Sequence, residues 1–145
     1  MPTATTARIV RRPSSSRPRL ITADICVVGA GIAGVSAALE AARLGRRVVV
    51  VDAASSLGGQ AIGSIVGTII GLYTHGPSPY QITRGIADDL IADLTVEGSL
   101  HRRNSMTGTI TFQYDEVRLG RWLERKIEEM PVRWRGAADR VAQAS

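Results

Sequence analysis

Residues 24–52 limit what this chain can fold into more than any other stretch. They read DICVVGAGIAGVSAALEAARLGRRVVVVD, with apolar, β-rich runs at residues 25–28 and 48–51. Between the runs lie a glycine-rich turn, an alanine-rich helical pattern from about residue 32 to 44, and Gly45 as its stop. Two such strands joined by one helix predict a parallel βαβ unit. Because the unbroken valine run is typical of a parallel strand covered on both faces, we expect a doubly wound α/β sheet.

The turn has the spacing GxGxxG, formed by Gly29, Gly31 and Gly34, at the point where the helical pattern begins. In a dinucleotide-binding unit the first glycine permits the tight turn, the second lets the backbone approach a pyrophosphate, and the third lets helix and strand pack closely. The helix N-terminus carries roughly half a positive charge, which stabilises a diphosphate. Asp52 ends the second strand, where a carboxylate can accept hydrogen bonds from an adenosine ribose. We therefore predict a Rossmann-like nucleotide cradle; the alternative is a βαβ unit whose glycines serve packing alone.

The excess positive charge of the chain is concentrated in its first 20 residues. Of 18 Lys and Arg residues among 145, five lie in residues 1–20, which contain no acidic residue, whereas residues 21–145 carry 13 basic and 13 acidic residues. We predict that residues 1–20, rich in Ser, Thr and Pro, are a disordered basic tail and that residues 21–145 form one domain. An organelle transit peptide, an arm that docks on a partner, and non-specific nucleic-acid contact are alternative roles for the tail. The balanced charge of the domain argues against specific nucleic-acid binding.

Cysteine content and hydropathy predict a cytoplasmic protein without a membrane span. The single cysteine, Cys26, lies within the first strand pattern, where we expect a small buried hydrophobic residue, and it excludes an internal disulfide. The absence of a secretory signal pattern favours a reducing compartment, the cytoplasm. The sequence contains no run of about 18 apolar residues, the length that a membrane span needs.

A glycine pair six residues after Asp52 adds a resemblance to a known family. Gly58 and Gly59 are followed by Gln60 and by the glycine-spaced apolar run AIGSIVGTIIGLYTHG. Together with GxGxxG and the acid that ends the second strand, this pattern resembles the amino-terminal FAD-binding segment of the two-dinucleotide-binding-domain flavoproteins. In particular, it is similar to the FAD-dependent oxidoreductase family, from about residue 24 to residue 141.

The resemblance implies FAD as the cofactor and assigns contacts to it. The pyrophosphate contacts are expected at the turn, the ribose contact at the end of the second strand, the diphosphate or ribityl contacts at the glycine pair, and the adenine contact near the end of the chain. In the same order, the residues are Gly29, Gly31, Ile32, Ala33 and Gly34 at the turn; Asp52 at the end of the second strand; Gly58, Gly59 and Gln60 at the glycine pair; and Val141 near the end of the chain. The family more often has glutamate at the position of Asp52, which keeps an NAD-binding module open as an alternative.

The resemblance also implies an enzyme that transfers hydride from an unknown small-molecule substrate to the flavin. In the family a later strand completes the FAD cradle, so we expect this chain to be incomplete relative to a full flavoprotein. It would then be a short subunit or an amino-terminal fragment, with a second polypeptide completing the flavin site. His75 would lie near the flavin ring, as a candidate for proton transfer or substrate orientation; the alternative is a solvated loop histidine. A catalytically silent nucleotide-binding or assembly module is the second class of function.

A helix is predicted to begin at Pro79, with Ser78 as its cap and Gly98 as its end. Its acidic side, interpreted as a solvated face rather than a metal or acid–base site, consists of Asp88, Asp89 and Asp93. Its apolar stripe consists of Ile82, Ile86, Leu90 and Leu94.

The remaining patterns predict strand, helix and strand. Residues 107–114 are β-rich, and Asp115 is expected to cap a helix in which Trp122 is a core residue. Residues 132–135 read as a strand that follows this helix.

Overall fold

The structure is a computed structural model that describes residues 20–136. Nearly all of the predicted tail, and Val141, therefore lie outside the described residues. In this part of the chain no helix is long and apolar enough to cross a membrane. Its elements, in chain order, are β1 (Ile25–Val28), α1 (Ile32–Arg43), β2 (Val48–Val51), α2 (Gln60–Gly63), β3 (Thr68–Ile70), α3 (Ile86–Val96), β4 (Leu100–Asn104), β5 (Ile110–Tyr114), α4 (Glu116–Glu129) and β6 (Val132–Arg135).

A parallel sheet with the strand order β1-β2-β6 forms one layer. Ile25 pairs with Val48, which pairs with Val132, and the register continues unbroken along all three strands. α1 packs on β1 and β2, while α4 packs on β6 and on α1. This arrangement confirms the predicted Rossmann-like α/β fold with a βαβ unit at its start.

α1 follows its sequence pattern closely. Its buried residues are Val35, Ala38, Leu39 and Ala42, which share one face. Alanines on this face let the helix lie close to the sheet. The helix ends where Gly45 takes a positive φ of 75° and donates its N–H to the carbonyl of Ala42 at 2.9 Å.

The second sheet is antiparallel, with the order β3-β5-β4. β5 lies within the predicted strand at residues 107–114, and it pairs with β4 from Leu100↔Tyr114 to Asn104↔Ile110. β4 was not predicted, because its sequence LHRRN is exposed after Leu100 and has no apolar alternation. Charged residues of this kind suit an edge strand, since they discourage further pairing.

One apolar core joins the two sheets and the helices. Trp122, the predicted core residue, is fully buried, as are Leu39 and Leu94. Asp115 caps α4 as predicted, since its carboxylate accepts the N–H of Arg118 at 2.9 Å. Burying Trp122 leaves its indole N–H in need of an acceptor.

That acceptor is Asp93, so the interpretation of the acidic side of α3 as solvated is wrong. The Nε1–H of Trp122 donates to Asp93 at 2.8 Å, and Nζ of Lys126 lies 3.0 Å from the same oxygen. Both contacts hold the pKa of the Asp93 carboxyl below its usual range, Trp122 more strongly. Asp89 pairs with Arg43, and Asp88 accepts the N–H of Gly85 at 3.0 Å. The acidic side of α3 thus ties that helix to its neighbours.

The predicted start of α3 at Pro79 is also wrong. Residues 80–83 turn back on the preceding loop, where Ile82 donates its N–H to the carbonyl of Leu72 at 2.8 Å. The helix begins at Ile86, whose N–H donates to the Glu40 carboxylate of α1 at 2.9 Å. Since Gly85 precedes it without a side chain, Glu40 supplies the cap from another helix.

β1 is less covered than its sequence predicts. Val27 faces α1, because a Cβ added to Gly34 would lie 3.3 Å from its Cγ1. Alternation therefore directs Cys26 and Val28 to the opposite face, where Cys26 is exposed and Val28 is 86% exposed. The prediction that Cys26 is buried is wrong, since within residues 20–136 the helices α1 and α4 cover the other face and β1 is an edge strand.

Replacing Asp93 with asparagine should destabilise the fold. The loss of the charged partner of Trp122 and Lys126 should lower the free energy of unfolding at pH 7 by about 1–3 kcal/mol, measured by urea denaturation. Because the folded pKa of Asp93 is lowered, this contribution is present above the unfolded pKa of about 3.9 and is lost as the pH falls through the folded value. The difference from wild type should therefore shrink in acid. E124Q on the exposed side of α4 is the control, and an equal loss in both variants would contradict the assignment.

Candidate functional site

The glycine-rich turn lies at the carboxyl end of β1. Gly29 leaves the strand with a φ of 107° and donates its N–H to the carbonyl of Val51 at 2.8 Å. Gly31 is the N-cap of α1, with φ −64° and ψ 172°. No side chain caps this helix, and its first turn contains no acidic residue. The positive end of α1 therefore faces outward without a negative side chain of its own helix.

The turn glycines meet separate steric demands. A Cβ on Gly34 would lie 2.0 Å from the carbonyl oxygen of Gly29, so only glycine permits this approach of helix and strand. A Cβ on Gly31 would meet nothing within 4 Å. The space beside Gly31 is thus open in the described protein, as a group approaching the helix N-terminus requires.

Asp52 follows β2 and reaches back to this turn. Its Oδ2 accepts the N–H of Ala30 at 2.5 Å, and its Oδ1 accepts the N–H of Ala54 at 2.8 Å. These bonds, that of Ala30 first, lower the pKa of the Asp52 carboxyl, so it is ionised at neutral pH. The contact with Ala30 was not predicted, because its donor is a backbone N–H, which almost every residue has, so the sequence does not indicate which of them Asp52 binds.

The second glycine pair packs against the same turn. Gly58 forms an isolated parallel bridge with Gly31 and donates its N–H to the carbonyl of Ala30 at 2.7 Å. A Cβ on Gly59 would lie 3.1 Å from the Cα of Gly31. Gly59 is the N-cap of α2, which begins at Gln60. The structure thus brings Asp52 and the glycine pair to the turn, which lies much earlier in the sequence.

A groove of about 600 Å³ begins beside this turn and is lined largely by apolar residues. Ile32, Ala33 and Gln60, all predicted FAD contacts, line it together with Glu40. Since Glu40 lies eight positions after Ile32 in α1, the groove follows this helix for about 12 Å. Tyr114 also lines it and donates its hydroxyl to the carbonyl of Ala61 at 2.7 Å. Burial, with a smaller effect of Glu116, raises the pKa of Tyr114.

His75 lies in a different set of contacts. Its Nδ1 is 2.9 Å from Oγ1 of Thr109, in the connection between β4 and β5. Gly76 donates its N–H to the carbonyl of Gly108 in the same connection, at 3.4 Å. The contacts of His75 therefore tie the loop to the β4–β5 hairpin, and its role in catalysis stays a prediction. Within residues 20–136 no group of His, Cys, Asp and Glu residues could hold a metal ion.

Comparison with known proteins agrees with this geometry. The family model of FAD-dependent oxidoreductases matches residues 24–138. The chain belongs to this family. Its cofactor is accordingly FAD, and the residues around the turn fit that cofactor: an uncapped helix N-terminus, open space at Gly31 and a carboxylate at the end of β2.

This chain spans less than half the length of each of the following relatives and structures that it resembles. A ferredoxin–NADP reductase of Granulibacter bethesdensis is 47% identical over 47 residues, which are 32% of this chain and 13% of the reductase. The structure of THI4 from Thermovibrio ammonificans has a TM-score of 0.50 and 17% identity, over 79% of this chain and 38% of THI4. GidA from Aquifex aeolicus has a TM-score of 0.43 and 20% identity, over 78% of this chain and 19% of GidA. The likeness to THI4 shows the fold alone.

Replacing Gly34 with alanine should destabilise the fold, because its Cβ would force α1 away from the Gly29 carbonyl. We expect the free energy of unfolding to fall by about 3 kcal/mol, measured by urea denaturation. Gly31→Ala is the matched control, with an expected loss below about 1 kcal/mol, since its Cβ enters open space. Equal losses in the two variants would contradict the close approach at Gly34.

Proposed function

We propose that this chain binds the ADP half of FAD in an FAD-dependent oxidoreductase. The observation that carries the proposal is the N-terminus of α1, which has no side-chain cap and no acidic residue in its own first turn, beside the open space at Gly31. A diphosphate placed there accepts hydrogen bonds from the backbone at Gly31, Ile32 and Ala33 and is stabilised by the helix dipole. Gly29 and Gly34 shape the turn that presents these groups.

The neighbouring residues take the other parts of the cofactor. Asp52 accepts hydrogen bonds from the adenosine ribose, at the carboxyl end of β2. Gly58, Gly59 and Gln60 pass along the diphosphate or the ribityl chain, a role supported by the bridge between Gly58 and Gly31. Val141, outside the described residues, is our proposed contact to the adenine.

The reaction we propose is hydride transfer from a small-molecule substrate. FAD, when bound, supplies the hydride-accepting chemistry. The residues of this chain bind the diphosphate and orient the cofactor. The competing function is a catalytically silent nucleotide-binding or assembly module. Substrate turnover by the assembled protein would favour the enzyme, and its absence would favour the silent module.

The replacement Gly31→Ala should weaken FAD binding while leaving the fold intact. The added Cβ occupies the space through which the diphosphate reaches the backbone, so we expect at least about tenfold weaker binding. Binding is measured by quenching of FAD fluorescence on titration with the full chain. Gly120→Ala on α4 is the control, because its Cβ would meet Ile62 at an ordinary 3.8 Å.

Two outcomes would overturn the assignment of the site. Equal FAD affinity in wild type and Gly31→Ala would show that the cofactor does not approach this turn. Wild-type protein that takes up no FAD, alone or in its native assembly, would contradict the proposed function as a whole.

We also propose that a second polypeptide completes the flavin site by pairing with β1. The support is the exposure of this apolar strand: within the described residues β1 pairs with β2 alone, and Val28 is 86% exposed beside Gly29. Burying one valine contributes about 1.5 kcal/mol or more. A partner that adds a strand at this edge and packs on the face opposite α1 would cover Val28 and Cys26 next to the turn that receives the diphosphate.

The replacement Val28→Lys should prevent this assembly. Affinity purification of the tagged chain from its native source is expected to yield a second polypeptide and a flavin absorption spectrum. Val28→Lys should lose the second polypeptide, because a charge would be buried under the partner that covers this face of the sheet. Val117→Lys is the matched control, since Val117 is 64% exposed and lies on α4, outside the parallel sheet. A colourless monomer from the wild-type chain would contradict the proposal.

A further inference from the structure

The carboxylate of Asp52 accepts hydrogen bonds from the protein's own backbone. Its Oδ2 accepts from Ala30 across 22 residues, and its Oδ1 accepts from Ala54. Both donors are backbone N–H groups, and hydrogen bonds to a charged acceptor are stronger than neutral ones. The carboxylate therefore links the end of β2 to the middle of the glycine-rich turn.

Ala30 is held from both sides. It is 1% exposed, its N–H donates to Asp52, and its carbonyl accepts the N–H of Gly58 at 2.7 Å. The flanking residues Gly29 and Gly31 carry no side chains, so they are held only through their backbones: the N–H of Gly29 donates to the carbonyl of Val51, and Gly31 bridges Gly58. Fixing the peptide groups of Ala30 consequently fixes the direction of the following N–H groups, which are those at the start of α1.

We propose that Asp52 is a positioning residue that sets the phosphate-binding turn through Ala30, in addition to its contact with the ribose. The inference rests on the proposed function. The two roles are compatible, because each carboxylate oxygen has two lone pairs and a bond to one N–H does not by itself exclude a hydroxyl group.

Two nucleotide probes separate the two roles. ADP carries both the diphosphate and the ribose diol, whereas 2′,3′-dideoxy-ADP keeps the diphosphate and lacks the diol. A residue that contacts only the ribose affects the binding of ADP alone. A residue that sets the turn affects both probes, since both place a diphosphate at the N-terminus of α1.

The experiment measures the affinity of the full chain for each probe by isothermal titration calorimetry. We expect Asp52→Ala to weaken the binding of dideoxy-ADP by about tenfold or more, and that of ADP by at least as much, because ADP also loses its ribose contact. Asp24→Asn is the matched control, because it also removes a hydrogen-bonded carboxylate, bonded to Arg47 at the opposite end of β1, and should change neither affinity more than about twofold. Loss of ADP binding with unchanged dideoxy-ADP binding would overturn the positioning role and leave the proposed function intact. Failure of the wild-type protein to bind either probe, both alone and in its native assembly, would overturn both.

A second measurement covers the case in which Asp52→Ala does not fold. In the ligand-free protein the Ala30 amide should be protected from hydrogen exchange. Asp52→Leu has a side chain of similar size without an acceptor oxygen, so the Ala30 amide should exchange at least about tenfold faster in this variant while the amide of Leu39 in α1 keeps its protection. Equal exchange of the Ala30 amide in wild type and Asp52→Leu would overturn the proposal.

Discussion

The close approach of α1 to the end of β1 is the constraint on which the rest of this structure depends. Gly34 faces the carbonyl of Gly29 at a distance that leaves no room for a Cβ. Because the helix crosses the strand so closely, its buried residues Val35 and Leu39 reach the core. The same approach places the helix N-terminus directly beside the turn. The packing of the core and the geometry of the site therefore have one steric cause.

A second set of polar contacts joins the layers that the apolar core brings together. Burial of Trp122 removes the hydrogen bond that its indole N–H would make to water. A hydrogen bond to Asp93 of α3 takes its place. Glu40 of α1 does the same for the N-terminus of α3 by accepting from Ile86. Each contact satisfies a group whose burial would otherwise be unfavourable. The relative positions of α1, α3 and α4 are thus specified by polar partners as well as by packing.

These contacts explain which parts of the fold could be predicted from sequence. The βαβ unit could, because its strands and helix are determined by local periodicity and by glycines adjacent to them. The start of α3 could not, since the partner of Ile86 is Glu40, far earlier in the chain. The local sequence pattern predicts a solvated Asp93, because it does not show that Trp122, 29 residues later, donates a hydrogen bond to it. The exposure of Cys26 depends on which elements cover each face of the sheet, and this cannot be predicted from the sequence of the strand itself.

The same distinction applies to the candidate site. The resemblance predicts Gly58 near the diphosphate or the ribityl chain, and this contact stays a prediction; the structure brings Gly58 to Gly31 through a backbone bridge. The bond from Ala30 to Asp52 was beyond prediction, because its donor is a main-chain group and its acceptor was assigned to the ribose. Once the turn is bonded on both sides by the protein, the entropy of ordering it is lost at folding rather than at binding. In our proposal a diphosphate then meets N–H groups that already point towards it, so less of its binding energy is spent on arranging the site.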